Sequence, residues 1–263
     1  MHNTSAVLGG GEIGSALLVA GLQGRGHSVL MLLRDADMAE RVGAYGIPTG
    51  VQRVGGDLML PDALRLAARF RRERPDAVIL TSFKKLMLSC LAARLAHSPY
   101  VVQRIVLQSD TPARGARYRF ALRHGVDTIT LNADAMRRAF LAADPRLDPS
   151  KVVTIIDGVN APVVSAPPGA VRRELGIPAD AFVIGSVARL AKQKRFDRLL
   201  RAMTLIPEPI HCVIAGAGTQ LEAIRTLAQE LGIADRVHLL GFRTDVGDVL
   251  RALDLFVISS ETE

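Results

Sequence analysis

Apolar residues along the chain gather into short, β-branched runs separated by stretches with helical spacing. Val29–Leu33, Val51–Val54, Ala77–Leu80, Tyr100–Leu107, Thr128–Leu131 and Lys151–Ile156 read as strands. Ala39–Gly46, Ala63–Arg74, Leu86–His97, Tyr118–Arg123 and Ala133–Ala142 carry helical periodicity, and Asn132 stands where it would cap the last. Ser5–Leu8 is a short apolar run before a cluster of glycines, and a helix-like stretch follows to about Gln23. The chain is therefore predicted to open with strand, glycine loop and helix. Regular alternation of this kind predicts an α/β fold with a parallel, doubly wound sheet.

The alternation stops at Ala161–Gly169, where three prolines and no periodicity mark a linker. It then restarts. Phe182–Ala188, His211–Ala215, Val237–Leu240 and Leu255–Ser259 read as strands, with helices over Arg195–Thr204, Thr219–Leu231 and Val246–Leu253. Two domains are expected, 1–165 and 166–263, with the site in the cleft between them.

Composition narrows the choice of partners. A net charge of +7 favours anionic ligands such as phosphates, nucleic acid or an acidic membrane surface. Nucleic acid is disfavoured: aromatics are only 4% with no Trp, which leaves few platforms for base stacking. Arg65, Arg69 and Arg72 share a face of one helix; a solvated basic face is the simplest reading, with contact to anionic lipid the alternative. Cys90 and Cys212 lie in apolar runs and are expected to be buried free thiols, as suits a reducing cytoplasm. Residues 1–12 lack the pattern of a signal peptide, and no apolar run is long enough to span a membrane. A cytoplasmic protein is expected.

Two loops carry candidate chemistry. Gly9, Gly11 and Gly14 match G-x-G-x-x-G, and Asp35 follows at a spacing that suits a ribose-binding acid. That pattern is loose, and close packing of helix on strand would also call for glycine. The second loop follows the run Phe182–Ala188 and holds Arg189, Lys192, Lys194 and Arg195 just before a helix. Cations there, beside the positive end of a helix, suit a diphosphate. A solvated surface loop is the alternative.

Taken in order, ARLAKQKRFDRLL, IAGAGTQLE, VHLLGFRTDV and DLFVISSETE resemble the retaining GT-B glycosyltransferases of group 1 (family 4), which use nucleotide-sugar donors. LGGGE, GRGHSV and VVTIIDGVN in the first half agree with that resemblance. It implies two Rossmann-like domains, the second incomplete here. It also implies that Arg189 and Lys194 bind the donor diphosphate and stabilise its leaving charge. Gly10 and Gly11 would approach the phosphates or the acceptor. Gly216, Gly218, Leu240, Gly241 and Phe242 would line the nucleotide pocket, and Glu263, first acid of the family's E-x7-E motif, would contact the donor sugar. No metal or other cofactor is implied. The acceptor would be a glycan or lipid-linked saccharide of the cell envelope, with peripheral contact at the inner face of an anionic plasma membrane.

Departures from the family pattern accompany these expectations. Many relatives carry a His near residues 80–84 or 104–108; here those positions read Leu80–Thr81–Ser82 and Arg104–Ile105–Val106, and no general base is assigned. Asp157 replaces a frequent Asn, and the second acid of the motif would fall after Glu263. A nicotinamide-dependent oxidoreductase resting on Gly9, Gly11 and Gly14 is the alternative enzyme. A non-catalytic sugar-nucleotide-binding module is the alternative outside catalysis.

Overall fold

A computed structural model describes residues 1–5, 10–106, 115–206 and 210–261. The chain divides into two compact units, residues 1–158 and 159–263. Each has its own apolar core and its own parallel sheet.

In the first unit α1 (Gly10–Gln23) precedes β1 (Met31–Leu33), α2 (Ala36–Gly43), β2 (Thr49–Val51) and α3 (Leu60–Glu73). Next come β3 (Ala77–Leu80), α4 (Leu86–Leu95), β4 (Tyr100–Ile105), α5 (Ala116–Phe120), β5 (Thr128–Leu131), α6 (Asp134–Ala143) and β6 (Val152–Thr154). β1 pairs with β2, and β3 to β6 pair in order, all parallel. Isolated parallel bridges from His2 to Leu32 and Leu80 join the two groups. The amide of His2 donates to Ile79 O at 2.8 Å, and that of Asn3 to Leu32 O at 2.9 Å. The order therefore reverses at the chain's first residues, as in a Rossmann-type sheet.

This pairing precedes the predicted run Ser5–Leu8, of which only Ser5 is described. The pairing is made by His2 and Asn3, whereas Ser5 lies outside any strand and Ala6–Gly9 fall outside the described residues. The reason is polar satisfaction. His2 and Asn3 are buried, His2 Nδ1 lies 3.1 Å from Ser89 Oγ, and Asn3 Oδ1 accepts from Ser5 N at 2.8 Å. Such a segment carries no apolar alternation to be read.

Other boundaries move for identifiable reasons. α2 starts at Ala36 because Asp35 Oδ1 accepts the Met38 amide at 3.0 Å. Ala133, without a side-chain cap bond, replaces Asn132 as the residue before α6. The helix read over Tyr118–Arg123 is α5, which runs on as a π-turn through Ala121–Gly125.

The second unit holds α7 (Ala170–Glu174), β7 (Val183–Val187), α8 (Phe196–Met203), β8 (His211–Ala215), α9 (Leu221–Glu230), β9 (Val237–Gly241), α10 (Val246–Arg251) and β10 (Leu255–Phe256). Its sheet is parallel in the order β10-β7-β8-β9. Phe196, Leu199, Leu200 and Met203 bury one stripe of α8, as their spacing predicts.

The change of unit falls at Gly158–Val159, upstream of the Ser165–Ala166 boundary read from the prolines. Asp248 explains the difference. Its Oδ1 accepts the amides of Ser165 (3.0 Å) and Ala166 (2.9 Å), and its Oδ2 accepts the Ser165 hydroxyl at 2.9 Å. The bond from Ala166 leads in holding this carboxyl below its usual range.

Candidate functional site

In the second sheet, β8 and β9 lie to one side of β7 and β10 to the other, so the order switches between β7 and β10. Ligands of open α/β sheets collect beyond the carboxyl ends of the strands at such a point. A cavity of about 180 Å³ opens there, lined by Ser186, Lys194, Phe256, Ile258, Ser259 and Ser260 among others.

The loop after β7 is fastened from two sides. On one side it lies on the loop after β8: Leu190 N donates to Ala217 O at 2.9 Å, and Gln220 N donates to Leu190 O at 3.1 Å. Gly216 N in turn donates to Gly241 O at 2.7 Å. On the other side Ser259 Oγ donates to Lys194 O at 2.8 Å, and Glu261 N donates to Gln193 O at 2.9 Å. Lys192–Lys194 form one 3-10 turn, and Arg195 adopts a left-handed conformation with φ 50° before α8.

This stacking explains two of the glycines directly. A Cβ on Gly216 would come within 1.9 Å of Ala188 O, and one on Gly218 within 2.2 Å of Leu190 O. Both are needed for backbone to lie on backbone. Gly241, at φ 67°, turns the chain at the end of β9 and is followed by Phe242, whose ring is 75% exposed. Leu240, Gly241 and Phe242 thus close the same end of the sheet as Gly216 and Gly218.

The cations of the loop differ in their commitments. Arg195 spans Asp197 with two bonds of 2.9 Å, which hold the Asp197 carboxyl below its usual range. It also lies 3.5 Å from Glu261, as does Arg198. Arg189 is exposed, and its guanidinium has no hydrogen-bond or ion-pair partner among the described residues. Lys194 is half-buried at the cavity. The sequence pointed to Arg189 and Lys194 but missed Ser259 and Glu261, which fasten the loop. Glu263 lies outside the described residues.

In the first unit Gly10 opens α1, and a Cβ there would meet nothing within 4 Å. One on Gly11 would make only an ordinary contact, 3.5 Å from Val106 Cγ2. Among the described residues, packing requires neither glycine. Beside them Arg104 at the end of β4 is buried; it donates to Asp157 Oδ1 at 2.7 Å and to Ser15 Oγ of α1 at 3.3 Å. The signal for this network is a charged residue inside the apolar run YVVQRIVL, which burial obliges to find a partner. Asp35, read as a ribose-binding acid, is engaged as the α2 cap. Among the described residues no group of three His, Cys, Asp or Glu side chains could hold a metal ion.

Comparison with known proteins fits this arrangement. The family described as "Glycosyl transferase 4-like domain" matches residues 9–158, and "Glycosyl transferases group 1" matches residues 169–263. The lipopolysaccharide core biosynthesis glycosyltransferase LpsD of Rhizobium meliloti is 41% identical over 98 residues, covering 37% of this chain and 28% of that protein. The UDP-Gal:alpha-D-GlcNAc-diphosphoundecaprenol alpha-1,3-galactosyltransferase of Escherichia coli is 26% identical over 241 residues, covering 84% of this chain and 61% of that protein. Anabaena Alr3699/HepE, solved in complex with UDP-glucose, shares the fold with a TM-score of 0.81 at 21% identity, over 98% of this chain and 72% of that one. The matched residues thus span under two thirds of the length of both curated relatives. With the 4-like family matched over more than half of this chain and the group 1 family over most of the rest, the chain belongs to the group 1 glycosyltransferases of GT-B fold.

Proposed function

We propose that this protein moves a sugar from a nucleoside-diphosphate sugar to a glycan or lipid-linked acceptor of the cell envelope, with retention of configuration. The observation that carries the reading is the exposed guanidinium of Arg189, without a partner among the described residues, on the fastened loop that also carries Lys194. Arg189 follows β7, the strand at the switch of the second sheet, and Lys194 lines the cavity there. A loop held from two sides gives a phosphate fixed donors, and preorganised charge acts most where negative charge develops.

In the proposed reaction Arg189 and Lys194 bind the diphosphate. The bond between the anomeric carbon and the phosphate oxygen breaks, leaving its electron pair on that oxygen. The acceptor oxygen bonds to the same face of the anomeric carbon, and its proton passes to the departing phosphate. Two side-chain cations supply the charge, so the reaction is proposed to run without a metal. Phe242 offers a face for the base, and Glu263 is assigned to the donor sugar. Gly10 and Gly11, whose missing side chains are not explained by packing against the described residues, let backbone approach the phosphates or acceptor. The names of the relatives support the donor and acceptor classes: UDP-glucose in one crystal structure, a diphosphoundecaprenol-linked sugar in one enzyme, and lipopolysaccharide core in another. The work is proposed to take place in the cytoplasm, at the inner face of the plasma membrane.

The test is transfer from a panel of nucleotide sugars, with the product's anomeric configuration read by NMR. Retained configuration, lost in Arg189→Ala and Lys194→Ala, is expected. Inverted product, or full activity in both variants, contradicts the proposal.

A further inference from the structure

Helix α3 buries Ala63, Leu66, Ala67 and Phe70 in the core of the first unit. Its other side is unusual. Leu60, Leu64 and Ala68 are exposed and recur every fourth residue, so they form one stripe along the outward face. Leu60 is 55% and Leu64 53% exposed. Leu58 and Met59, just before the helix, extend the stripe and are 70% and 47% exposed. Single exposed apolar residues are ordinary, but a contiguous set marks an interaction surface.

Charge surrounds the stripe on the same helix. Arg65 and Arg72 border it on one side, and Arg71 continues its line toward the carboxyl end. From Leu60 to Arg74 there are five arginines and two acids. Both acids are already engaged: Asp62 is buried and accepts Arg65 and the Gly55 amide, while Glu73 pairs with Arg69 and, at 3.3 Å, with Arg72. Arg71 donates to Leu95 O at 2.6 Å, and Arg65, Arg71 and Arg72 all stay exposed, so the face keeps an excess of three positive charges. The outward face therefore presents leucines flanked by basic charge.

We propose that this face of α3, with Leu58 and Met59, docks on an anionic lipid surface. The apolar stripe enters the boundary between headgroups and acyl chains, and Arg65, Arg71 and Arg72 meet the headgroup phosphates. Charge complementarity selects this occupant: a protein partner would need acids matched to particular arginines, whereas an anionic bilayer meets any array of them. The inference gives a place to the membrane contact of the proposed function, yet its test needs no sugar transfer, so the two can fail separately.

The test is co-sedimentation with vesicles of phosphatidylcholine alone and of phosphatidylcholine mixed with phosphatidylglycerol. Binding only to the anionic vesicles, weakened by salt, is expected. In Leu60→Ser/Leu64→Ser the partition coefficient should fall by about tenfold or more, given the apolar area removed. Arg71→Gln/Arg72→Gln should lower binding to anionic vesicles by a similar factor. Both double variants alter exposed side chains; the circular dichroism melt of the leucine variant should match the parent, and that of the arginine variant should fall by no more than the exposed bonds to Leu95 O and Glu73 are worth. No binding to either vesicle, or parent-like binding by the leucine variant, overturns the proposal. So does concentration-dependent dimerisation abolished by the leucine variant, which would assign the face to a second copy of the chain.

Discussion

Glycines at the two candidate loops serve different ends, and substitution separates them. At Gly216 a Cβ would enter the Ala188 carbonyl, so Gly216→Ala is expected to cost at least about 2 kcal/mol in urea unfolding. At Gly10 a Cβ meets open space within a helix, so Gly10→Ala should leave stability unchanged or raise it by about 0.5–1 kcal/mol. If Gly10 serves a ligand, the same variant should lose transfer activity while folding normally. A Gly10→Ala protein with parent-like kcat and KM would show that this residue approaches no ligand.

Among the elements, the opening strand places a histidine deep in the first sheet, where burial pushes its pKa down to about 3. Above about pH 6.5 both folded and unfolded chains hold this imidazole neutral, and it adds no pH dependence. As pH falls from 6.5 toward 3 the unfolded chain takes up a proton that the folded one refuses. His2 should therefore make stability decline with acidity by up to about 1.4 kcal/mol per pH unit across that window. Urea midpoints between pH 7 and about 4 for the parent and His2→Gln measure it; parallel slopes would contradict it.

The same strand shows where sequence reading stops. Ala77–Leu80, Thr128–Leu131 and His211–Ala215 are read to the residue because apolar runs end at polar or glycine residues. His2 and Asn3 escape because their burial is met by Ser89 and a local turn, contacts that sequence spacing does not encode. At the site Arg189, Lys194 and the glycines were legible as residue types in loops after strands. The fastening by Ser259 and Glu261, and the Arg104–Asp157 pair, depend on segments far apart in the chain. Ser259→Ala removes one bond to that loop and should weaken nucleotide binding severalfold, with about 1 kcal/mol lost from stability.

For the whole molecule, two units with separate cores joined through an exposed segment should respond separately to a protease. Ile156, Val159 and Val163 are 78%, 87% and 80% exposed, and Asp248 holds the chain immediately afterwards. Cleavage by a nonspecific protease at low dose is expected within 155–164, leaving two resistant fragments. Asp248→Ala should extend the sensitive region past Ala166. Cuts scattered through both units would contradict the division.

The central claim is that Arg189 and Lys194 form a diphosphate clamp, and calorimetric titration with UDP, GDP, ADP and NAD(P) tests it most directly. One nucleoside diphosphate should bind, and Arg189→Ala and Lys194→Ala should each weaken it by about 10- to 100-fold, the worth of a hydrogen bond to a charged group. Equal affinity in parent and variants, or binding of NAD(P) alone, would contradict the claim.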